Sequence, residues 1–229
     1  MARTRAPGRL HDILDAAADV FSAKGYRQAR MQDVATAANV SPGLLYTYAA
    51  SKEALFALVV QREASVDIEA LPLPVPDPGE RELASIVRTT LREGLKPARL
   101  DAAEAATRRP ADPRAELEAI VAELYDGIHK GRRLLRVIER CAQDWPELAG
   151  IFFDRTRKPH VQRLGEYIER RVKWGCFRPV PDADVAARFL IETVSWFANH
   201  RYGDHDGAKI PDEVARATVI ELVTNSLVA

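Results

Sequence analysis

Residues 40–55, "VSPGLLYTYAASKEAL", contain two helix starts in close succession. Ser41 is a favourable N-cap, and Pro42 stands at the first helical position, where no backbone N–H is needed. Ser51 is a second N-cap and is followed directly by Lys52. The backbone N–H groups of such a helix start can hold a phosphate, and the lysine places a cation beside them. The stretch therefore predicts a short helix from Pro42 and a second helix that begins with an anion-binding turn.

Upstream of this stretch, two amphipathic patterns predict two further helices. Apolar residues at positions 10, 13, 14, 17 and 21 recur at spacings of three and four, and Gly25 ends a helix of about residues 8–24. A shorter pattern over residues 31–38 ends at Asn39, which tolerates the left-handed conformation of a helix end. A three-residue turn joins this second helix to the helix from Pro42. The pair is a helix-turn-helix.

The helix from Pro42 presents one side to the core and the other to its surroundings. Leu45 lies on the inner face, whereas Tyr46 and Thr47 turn outward. Gly43, one turn earlier, leaves the backbone accessible beside them. This arrangement predicts a recognition helix followed by a phosphate clamp.

Composition limits the class of protein. The chain has 229 residues, of which 47% are hydrophobic and 29% charged, and it has no apolar run near the roughly 20 residues that span a bilayer. We therefore expect a soluble, cytoplasmic protein without a membrane partner. Cys141 and Cys176 have neither a CxxC spacing nor nearby histidines, so we expect buried thiols rather than a zinc site or a disulfide framework.

Charge is distributed unevenly although the formal net charge is zero. Residues 1–52 contain seven Lys or Arg and four Asp or Glu, a balance of +3, and the rest of the chain carries −3. A neutral chain does not suit a non-specific nucleic-acid organiser, whose affinity depends on a strongly basic surface. The mildly basic first quarter supports a nucleic-acid site there.

Several motifs over about residues 9–60 resemble the DNA-binding domain of the TetR family of bacterial transcriptional regulators. They are "ILDAA…F…KGY" in the first helix, "DVA..A.VS.G.LY.Y" across the turn and "SKEAL" at the start of the fourth helix. The resemblance implies an all-α fold. Its N-terminal three-helix DNA-binding domain with the helix-turn-helix would comprise residues 1–52, and a larger C-terminal helical ligand-binding and dimerisation domain would comprise residues 53–229.

The same resemblance implies a function and a set of DNA contacts. The chain would be a regulator, not an enzyme, that represses by binding a palindromic operator in double-stranded DNA as a homodimer and is released by a small-molecule ligand, without a cofactor or metal. The implied DNA-binding residues lie on the second and third helices and at the start of the fourth: Gln32, Pro42, Gly43, Leu44, Tyr46, Thr47, Tyr48 and Lys52. Ala29 and Arg30 stand where the family usually has a threonine or serine cap, and Arg30 is a candidate for a phosphate contact in place of that hydroxyl cap.

Some of these residues have a second interpretation. Tyr46 and Tyr48 are alternatively packing residues, and Lys52 is alternatively a solvated charge. Residues 2–9, "ARTRAPGR", are either a solubilising tail or an arm that follows the minor groove or the phosphates. Ala49 stands where the family usually has a bulky aromatic residue, so the three-helix core is underfilled unless a neighbour compensates.

Residues 71–79, "LPLPVPDPG", carry prolines at alternating positions and cannot continue a helix. They are either a domain boundary or a loop between packed helices of the larger domain. A helix follows over about residues 79–94, and a shorter helix begins after Pro97. A long helix is then predicted over about 114–142, with a kink near Gly127 or Gly131.

Three more helices are predicted over about 146–174, 182–202 and 211–228. The last two are apolar around more of their circumference than one core contact needs, which indicates a partner helix. In the family, these helices form a four-helix interface between two subunits. The alternative is a wide stripe buried within a large monomer. If the two helices form this interface, its residues are Phe189, Ile191, Val194, Val219, Ile220 and Val223.

Six aromatic residues of the helical region are candidates for a ligand pocket, because such pockets are largely apolar with a few polar groups. In TetR relatives a pocket of this kind receives the inducer. The alternative is that the rings are ordinary core. The candidates are Tyr125, Trp145, Phe152, Trp174, Trp196 and Phe197.

One polar cluster suggests a different class of function. His200, Asp204 and His205 would suit a metal or a catalytic base in an all-helical enzyme if one helix carried His200 and Asp204 on the same face. Gly203 and Gly207 indicate instead that the helix ends and that the cluster lies in a polar loop.

Overall fold

The computed structural model describes residues 8–94 and 96–228, and the regular structure in those residues is helical. The all-α prediction is confirmed. The predicted arm at residues 2–9 lies outside the described residues except for Gly8 and Arg9. The α-helices are α1 (Arg9–Lys24), α2 (Met31–Ala37), α3 (Pro42–Leu45), α4 (Lys52–Glu63), α5 (Gly79–Gly94), α6 (Ala98–Ala105), α7 (Pro113–Lys130), α8 (Arg132–Ala142), α9 (Pro146–Ala149), α10 (Lys158–Lys173), α11 (Ala183–Ala198) and α12 (Asp212–Leu227).

Shorter helical segments complete the chain. A π-helix, Gly150–Arg157, continues α9 into α10, and two 3₁₀ segments, His200–Gly203 and Gly207–Lys209, lie between α11 and α12. The long helix predicted over residues 114–142 is broken at Gly131, whose N–H donates to the carbonyl of Gly127 at 3.0 Å. The predicted kink therefore occurs as a helix end.

The chain divides into two compact units. The N-terminal unit comprises residues 8–94 and 133–155, and the C-terminal unit comprises residues 96–132 and 156–228. Besides the helix-turn-helix, the N-terminal unit contains α4, α5 and most of α8. A division of function at residue 52 remains a prediction.

The core of the N-terminal unit is built around α1 and α4. Ile13, Leu14, Ala17 and Phe21 of α1 are fully buried, as their spacing predicts. On α4, every residue over 54–60 is buried, so this helix lies within the unit rather than on its surface. The apolar run of α4 is thus explained by packing on all sides.

The predicted helix ends are confirmed by backbone geometry. Asn39 has a φ of 52° and ends α2 in the left-handed conformation. Gly25, with a φ of 83°, ends α1, and its N–H donates to the carbonyl of Phe21. Ser51 accepts a hydrogen bond from the N–H of Ala54 at 3.1 Å and caps α4.

In the C-terminal unit, α10 packs along α11, and α7 packs against α11 and α12. Arg201 is fully buried between α11 and α12 and donates to the backbone carbonyls of Phe197 and Ile210. It also pairs with the carboxylate of Asp212, so the buried charge is compensated. These bonds fix the connection between the two helices.

The same connection contains the polar cluster of the sequence analysis. Asp204 accepts hydrogen bonds from the N–H groups of Asp206 and Gly207, which closes a turn. His205 lies beside Lys209 on the surface, with the two nitrogens 3.2 Å apart. Within the described part of the chain, no group of three or more His, Cys, Asp and Glu side chains is placed to hold a metal ion.

Candidate DNA-binding site

The turn between α2 and α3 is held by backbone hydrogen bonds. The N–H of Val40 donates to the carbonyl of Ala35 at 2.9 Å, and Pro42 occupies the first position of α3. The regular part of α3 is one turn long. Turn-type hydrogen bonds extend it, the last from the N–H of Ala49 to the carbonyl of Leu45 at 3.0 Å.

Most of the predicted DNA-binding residues are exposed in the N-terminal unit. Leu44 and Lys52 are partly buried, and Tyr48 is buried. The exposed residues are Arg30, Gln32, Pro42, Gly43, Tyr46 and Thr47.

One face of the α3 turn carries the side chains best placed to read DNA. Gly43, Tyr46 and Thr47 are three and four residues apart and share this face. The side chain of Tyr46 is 50% exposed although it is a large aromatic residue. The hydroxyl of Thr47 donates to the carbonyl of Leu44 at 2.7 Å, and the residue is exposed.

Tyr48 differs from its two neighbours because it points into the unit. Only 2% of its surface is exposed, and the adjacent Ala49 is fully buried. Of the two interpretations from sequence, this position favours packing over a direct contact with DNA.

Lys52 is tied to the end of α1. Its ammonium group donates to the backbone carbonyl of Tyr26 at 2.9 Å and lies 4.4 Å from the centre of the Tyr26 ring. The Tyr26 hydroxyl donates in turn to Glu53 at 2.7 Å. An ammonium group has three donors, so Lys52 keeps donors for a phosphate while Tyr26 fixes its position.

The start of α2 is capped from within the helix. Asp33 accepts a hydrogen bond from the N–H of Arg30 at 3.0 Å, and Lys24 lies 2.8 Å from the same carboxylate. The hydrogen bond from Lys24, and then that from Arg30, hold the pKa of Asp33 below its ordinary value. This cap replaces the hydroxyl cap that is absent at Ala29 and Arg30.

Asp144 and Trp145 were not predicted to lie near the helix-turn-helix. The carboxylate of Asp144 accepts hydrogen bonds from the N–H groups of Tyr26 and Arg27, each at 3.2 Å. A Cβ atom at Gly25 would meet this carboxylate at 2.4 Å. The segment after α8 thus clamps the turn that leads from α1 into α2, a contact between residues 118 positions apart for which the sequence contains no local signal.

The six aromatic candidates for a ligand pocket belong to different units. Trp145 and Phe152 lie in the N-terminal unit. In the C-terminal unit, the Tyr125 hydroxyl donates to the carbonyl of Phe197 at 3.3 Å, and the rings of Trp196 and Phe197 are 4.8 Å apart.

Trp174, the sixth candidate, is covered by two guanidinium groups. Arg170 and Arg171 lie 5.4 Å and 4.8 Å from the Trp174 ring. Arg171 is fully buried and is paired with Glu116. This ring is therefore part of a charged packing cluster rather than of the group around Phe197.

An apolar surface runs along α11 and α12. Its members are four, seven or eight residues apart along each helix, which places them on one helix face, and each is exposed: Val185, Phe189 and Trp196 on α11, and Val214 and Leu222 on α12. Phe189 and Val185 also line a groove of about 450 Å³ together with Leu227.

Among residues 8–94 and 96–228, no helix has the length and apolar character that a membrane span requires.

Two family profiles match the chain. Residues 13–59 match the bacterial regulatory proteins of the tetR family, and residues 116–227 match the C-terminal domain of AefR-like transcriptional repressors. The HTH-type transcriptional repressor KstR2 of Rhodococcus jostii is 25% identical over 210 residues, which cover 91% of this chain and 86% of that protein.

Solved structures show the same fold. The ketosteroid transcriptional regulator KstR2 of Mycobacterium tuberculosis superposes with a TM-score of 0.55 at 19% identity, covering 100% of both chains. AibR in complex with isovaleryl coenzyme A and operator DNA gives a TM-score of 0.55 at 20% identity, covering 94% of this chain and 98% of that one. With both profiles matched in the expected order, the chain belongs to the TetR family of bacterial transcriptional regulators and is not an enzyme.

Proposed function

We propose that this regulator is a repressor that binds a palindromic DNA operator as a homodimer and is released by a small-molecule ligand. The observation that carries the proposal is the exposed face of the α3 turn, on which Gly43, Tyr46 and Thr47 stand together. A tyrosine with half of its surface exposed, beside a glycine that has no side chain, leaves both an aromatic ring and the backbone accessible. It suits a surface that enters the major groove. We also propose that the protein acts in the cytoplasm.

The exposed residues divide by chemistry into two roles. Tyr46, Thr47 and Gln32 carry hydroxyl or amide groups that can read base edges, and Leu44 can pack against a thymine methyl group. Lys52 binds a phosphate oxygen.

Arg30, at the start of α2, is the second candidate for a phosphate contact. Phosphate contacts fix the register on the duplex, whereas base contacts select the sequence. Tyr48 is assigned to packing, and Pro42 and Gly43 allow the backbone to approach the DNA.

The proposed dimer surface is the exposed stripe of α11 and α12. Four of the six residues first assigned to the interface are buried within the C-terminal unit and belong to its core, which corrects that assignment: Ile191, Val194, Val219 and Val223. Phe189 and Leu222 are instead 57% and 62% exposed. A twofold axis through this stripe would pair each exposed residue with its counterpart.

We call α3 and the turn that extends it, residues 42–49, the recognition turn. A dimer holds two recognition turns, which can occupy two half-sites about 34 Å apart, one turn of DNA. A ligand releases the operator if it binds better to a dimer conformation with another spacing. Two relatives suggest the kind of ligand, since AibR has been solved with isovaleryl coenzyme A and KstR2 is named a ketosteroid regulator. Within this chain, the hydrogen-bonded pair Tyr125 and Phe197 are the proposed ligand contacts, whereas the exposed ring of Trp196 belongs to the proposed dimer surface.

The experiment selects genomic fragments with the purified protein, reduces them to a minimal duplex, and measures Kd by fluorescence anisotropy at several salt concentrations. We expect a palindromic site bound by two chains, with an affinity that falls about a thousandfold between 50 and 200 mM salt as phosphate counterions are released. A scrambled duplex of the same composition is the control. A complex that is insensitive to salt, or no selected fragment at all, contradicts the proposal.

A further inference from the structure

Residues 71–79, which we call the proline strap, are hydrogen-bonded to the end of the recognition turn. The N–H of Val75 donates to the carbonyl of Tyr48 at 2.8 Å, and the N–H of Ala50 donates to the carbonyl of Val75 at 2.9 Å. The two bonds enclose Ala49 in a parallel bridge with Val75. All of these residues belong to the N-terminal unit.

The recognition turn needs such support because it is short. The α3 helix is four residues long, and the side chain of Ser41 makes no capping bond at its start. Helices of one turn are not stable alone, since nucleation is unfavourable and few bonds repay it. The carbonyl of Tyr48 and the N–H of Ala50 lie beyond this helix, and the strap satisfies both.

Ala49 shows how closely the strap lies against the turn. Its side chain is a single methyl group, yet the residue is fully buried. Burial of so small a residue requires neighbours at close range, and Val75 is paired with it directly. The strap is therefore one of the neighbours that cover Ala49.

The strap is built to hold one shape. Prolines at positions 72, 74, 76 and 78 fix φ and lack an N–H, so Val75 offers the donor between two residues that cannot donate. At the far end, the N–H of Gly79 donates to the side chain of Asp77 at 2.8 Å, immediately before α5 begins. A stiff segment loses little conformational entropy when it is held in place.

We propose that the proline strap is a positioning element for DNA reading, in which Val75 fixes the end of the recognition turn so that Tyr46 and Thr47 meet the bases in one orientation. The inference rests on the DNA-binding function proposed above. It assigns to the strap a role in sequence preference and not only in stability, because base readout depends on orientation more strongly than phosphate contact does.

The test removes the donor of Val75. Val75→Pro lacks the N–H that bonds Tyr48, whereas the matched control Val75→Thr keeps both backbone bonds and nearly the same shape. Hydrogen exchange measures protection of the Ala50 amide without any DNA. We expect it to fall roughly tenfold in Val75→Pro and to stay within about twofold in Val75→Thr, with the amides of α1 unchanged in both.

Operator binding supplies the second readout. We expect Val75→Pro to raise the operator Kd roughly five- to tenfold and to leave the Kd for a scrambled duplex nearly unchanged, so that the ratio of the two falls. Equal operator binding by wild type, Val75→Pro and Val75→Thr overturns the inference but leaves the proposed function standing. No binding to any duplex by the wild type contradicts the proposed function, and the inference with it.

A second variant covers the case in which Val75→Pro does not fold. Pro72→Ala combined with Pro76→Ala keeps Val75 and replaces two exposed prolines, so the strap gains freedom while the core is untouched. We expect Ala50 protection and the operator-to-scrambled ratio to fall by roughly fivefold each. If both stay at the wild-type values, the strap does not position the turn.

Discussion

The indole of Trp145 stacks on the phenol ring of Tyr26, with ring centroids 4.4 Å apart and planes inclined by 24°. Phe56 of α4 meets both rings edge to face, at 5.2 Å from Tyr26 and 5.8 Å from Trp145. The carbonyl of Tyr26 accepts the hydrogen bond of Lys52. Trp145, which follows α8 in the chain, therefore supports Tyr26, and Tyr26 holds Lys52, the proposed phosphate-binding residue.

Replacement of Trp145 should destabilise the N-terminal unit. Trp145→Ala removes the stack with Tyr26 and leaves a cavity beside Phe56, so we expect a loss of about 2–4 kcal/mol in the free energy of unfolding. Trp145→Phe keeps an aromatic ring and should lose less than half of that amount. Urea unfolding followed by circular dichroism measures both. Equal stability of Trp145→Ala and wild type would show that the stack contributes nothing.

The close approach of Asp144 to Gly25 predicts a coupled pair of substitutions. Gly25→Ala places a Cβ against the Asp144 carboxylate and also requires a left-handed conformation, so it should destabilise by about 2 kcal/mol or more. Asp144→Ala leaves the N–H groups of Tyr26 and Arg27 without their acceptor and should cost about 1–3 kcal/mol.

In the double variant the clash with the carboxylate is absent, although the Cβ would still lie 2.7 Å from the Arg140 guanidinium, so the combined loss should be smaller than the sum of the two single losses. Denaturant unfolding of the four proteins gives the coupling free energy. Additive losses would mean that the two residues do not interact in solution.

Local patterns in the sequence predicted the helices well, because caps and periodicity act within a few residues. Ser51, Asn39 and Gly131 each end or begin a helix where their chemistry indicated. The clamp of Asp144 on Tyr26 could not be predicted in this way, since it joins residues 118 positions apart through backbone N–H groups that any sequence possesses.

Which side of an apolar helix faces the core was also beyond the sequence. Around α11, Val194 and Phe189 are equally apolar, yet Val194 is fully buried and Phe189 is exposed. A helix that is apolar on most sides carries no periodic signal that separates these faces. Likewise, nothing in residues 150–157 indicates that a π-helix replaces the regular helix there.

The two proposed classes of DNA contact should respond differently to substitution. Thr47→Ala removes the hydroxyl from the exposed face of the α3 turn, so, if this face reads the bases as proposed, we expect a loss of preference of roughly fivefold or more at one or two operator positions. Lys52→Ala should weaken all sequences about equally and reduce the salt dependence.

Binding to a library of single-base operator variants distinguishes these two outcomes. Tyr48→Phe is the matched control, because Tyr48 is buried and should not affect base preference. If Thr47→Ala and Lys52→Ala relax the base preference equally, the exposed face of the α3 turn is not the surface that contacts the bases.

Acid should weaken the cap of α2. The folded-state pKa of Asp33 is lowered from 3.8, first by the hydrogen bond from Lys24. Its contribution to stability is therefore fully present above pH 3.8 and is lost as the pH falls through the folded-state value. Asp33→Asn keeps an acceptor for the N–H of Arg30 but removes the charge. We expect it to unfold at lower urea than wild type at pH 7, and we expect this difference to shrink as the pH falls below 3.8. A difference that does not change with pH would exclude this role for the carboxylate.

The proposed dimer surface can be tested without disturbing the core. Phe189→Glu combined with Leu222→Glu places charges on two residues that are more than half exposed in the single chain, so folding should be retained. Buried in a twofold interface, the same carboxylates would be close to like charges and poorly solvated, which should split the dimer.

Sedimentation, circular dichroism and operator binding together decide the outcome. We expect a folded monomer whose operator affinity falls by roughly a hundredfold or more, because one chain contacts a single half-site. Val66→Glu, at an apolar residue of the N-terminal unit that is 44% exposed, is the matched control and should remain dimeric. If the double variant is still a dimer with normal operator affinity, α11 and α12 do not form the interface, and ligand release through that interface is excluded as well.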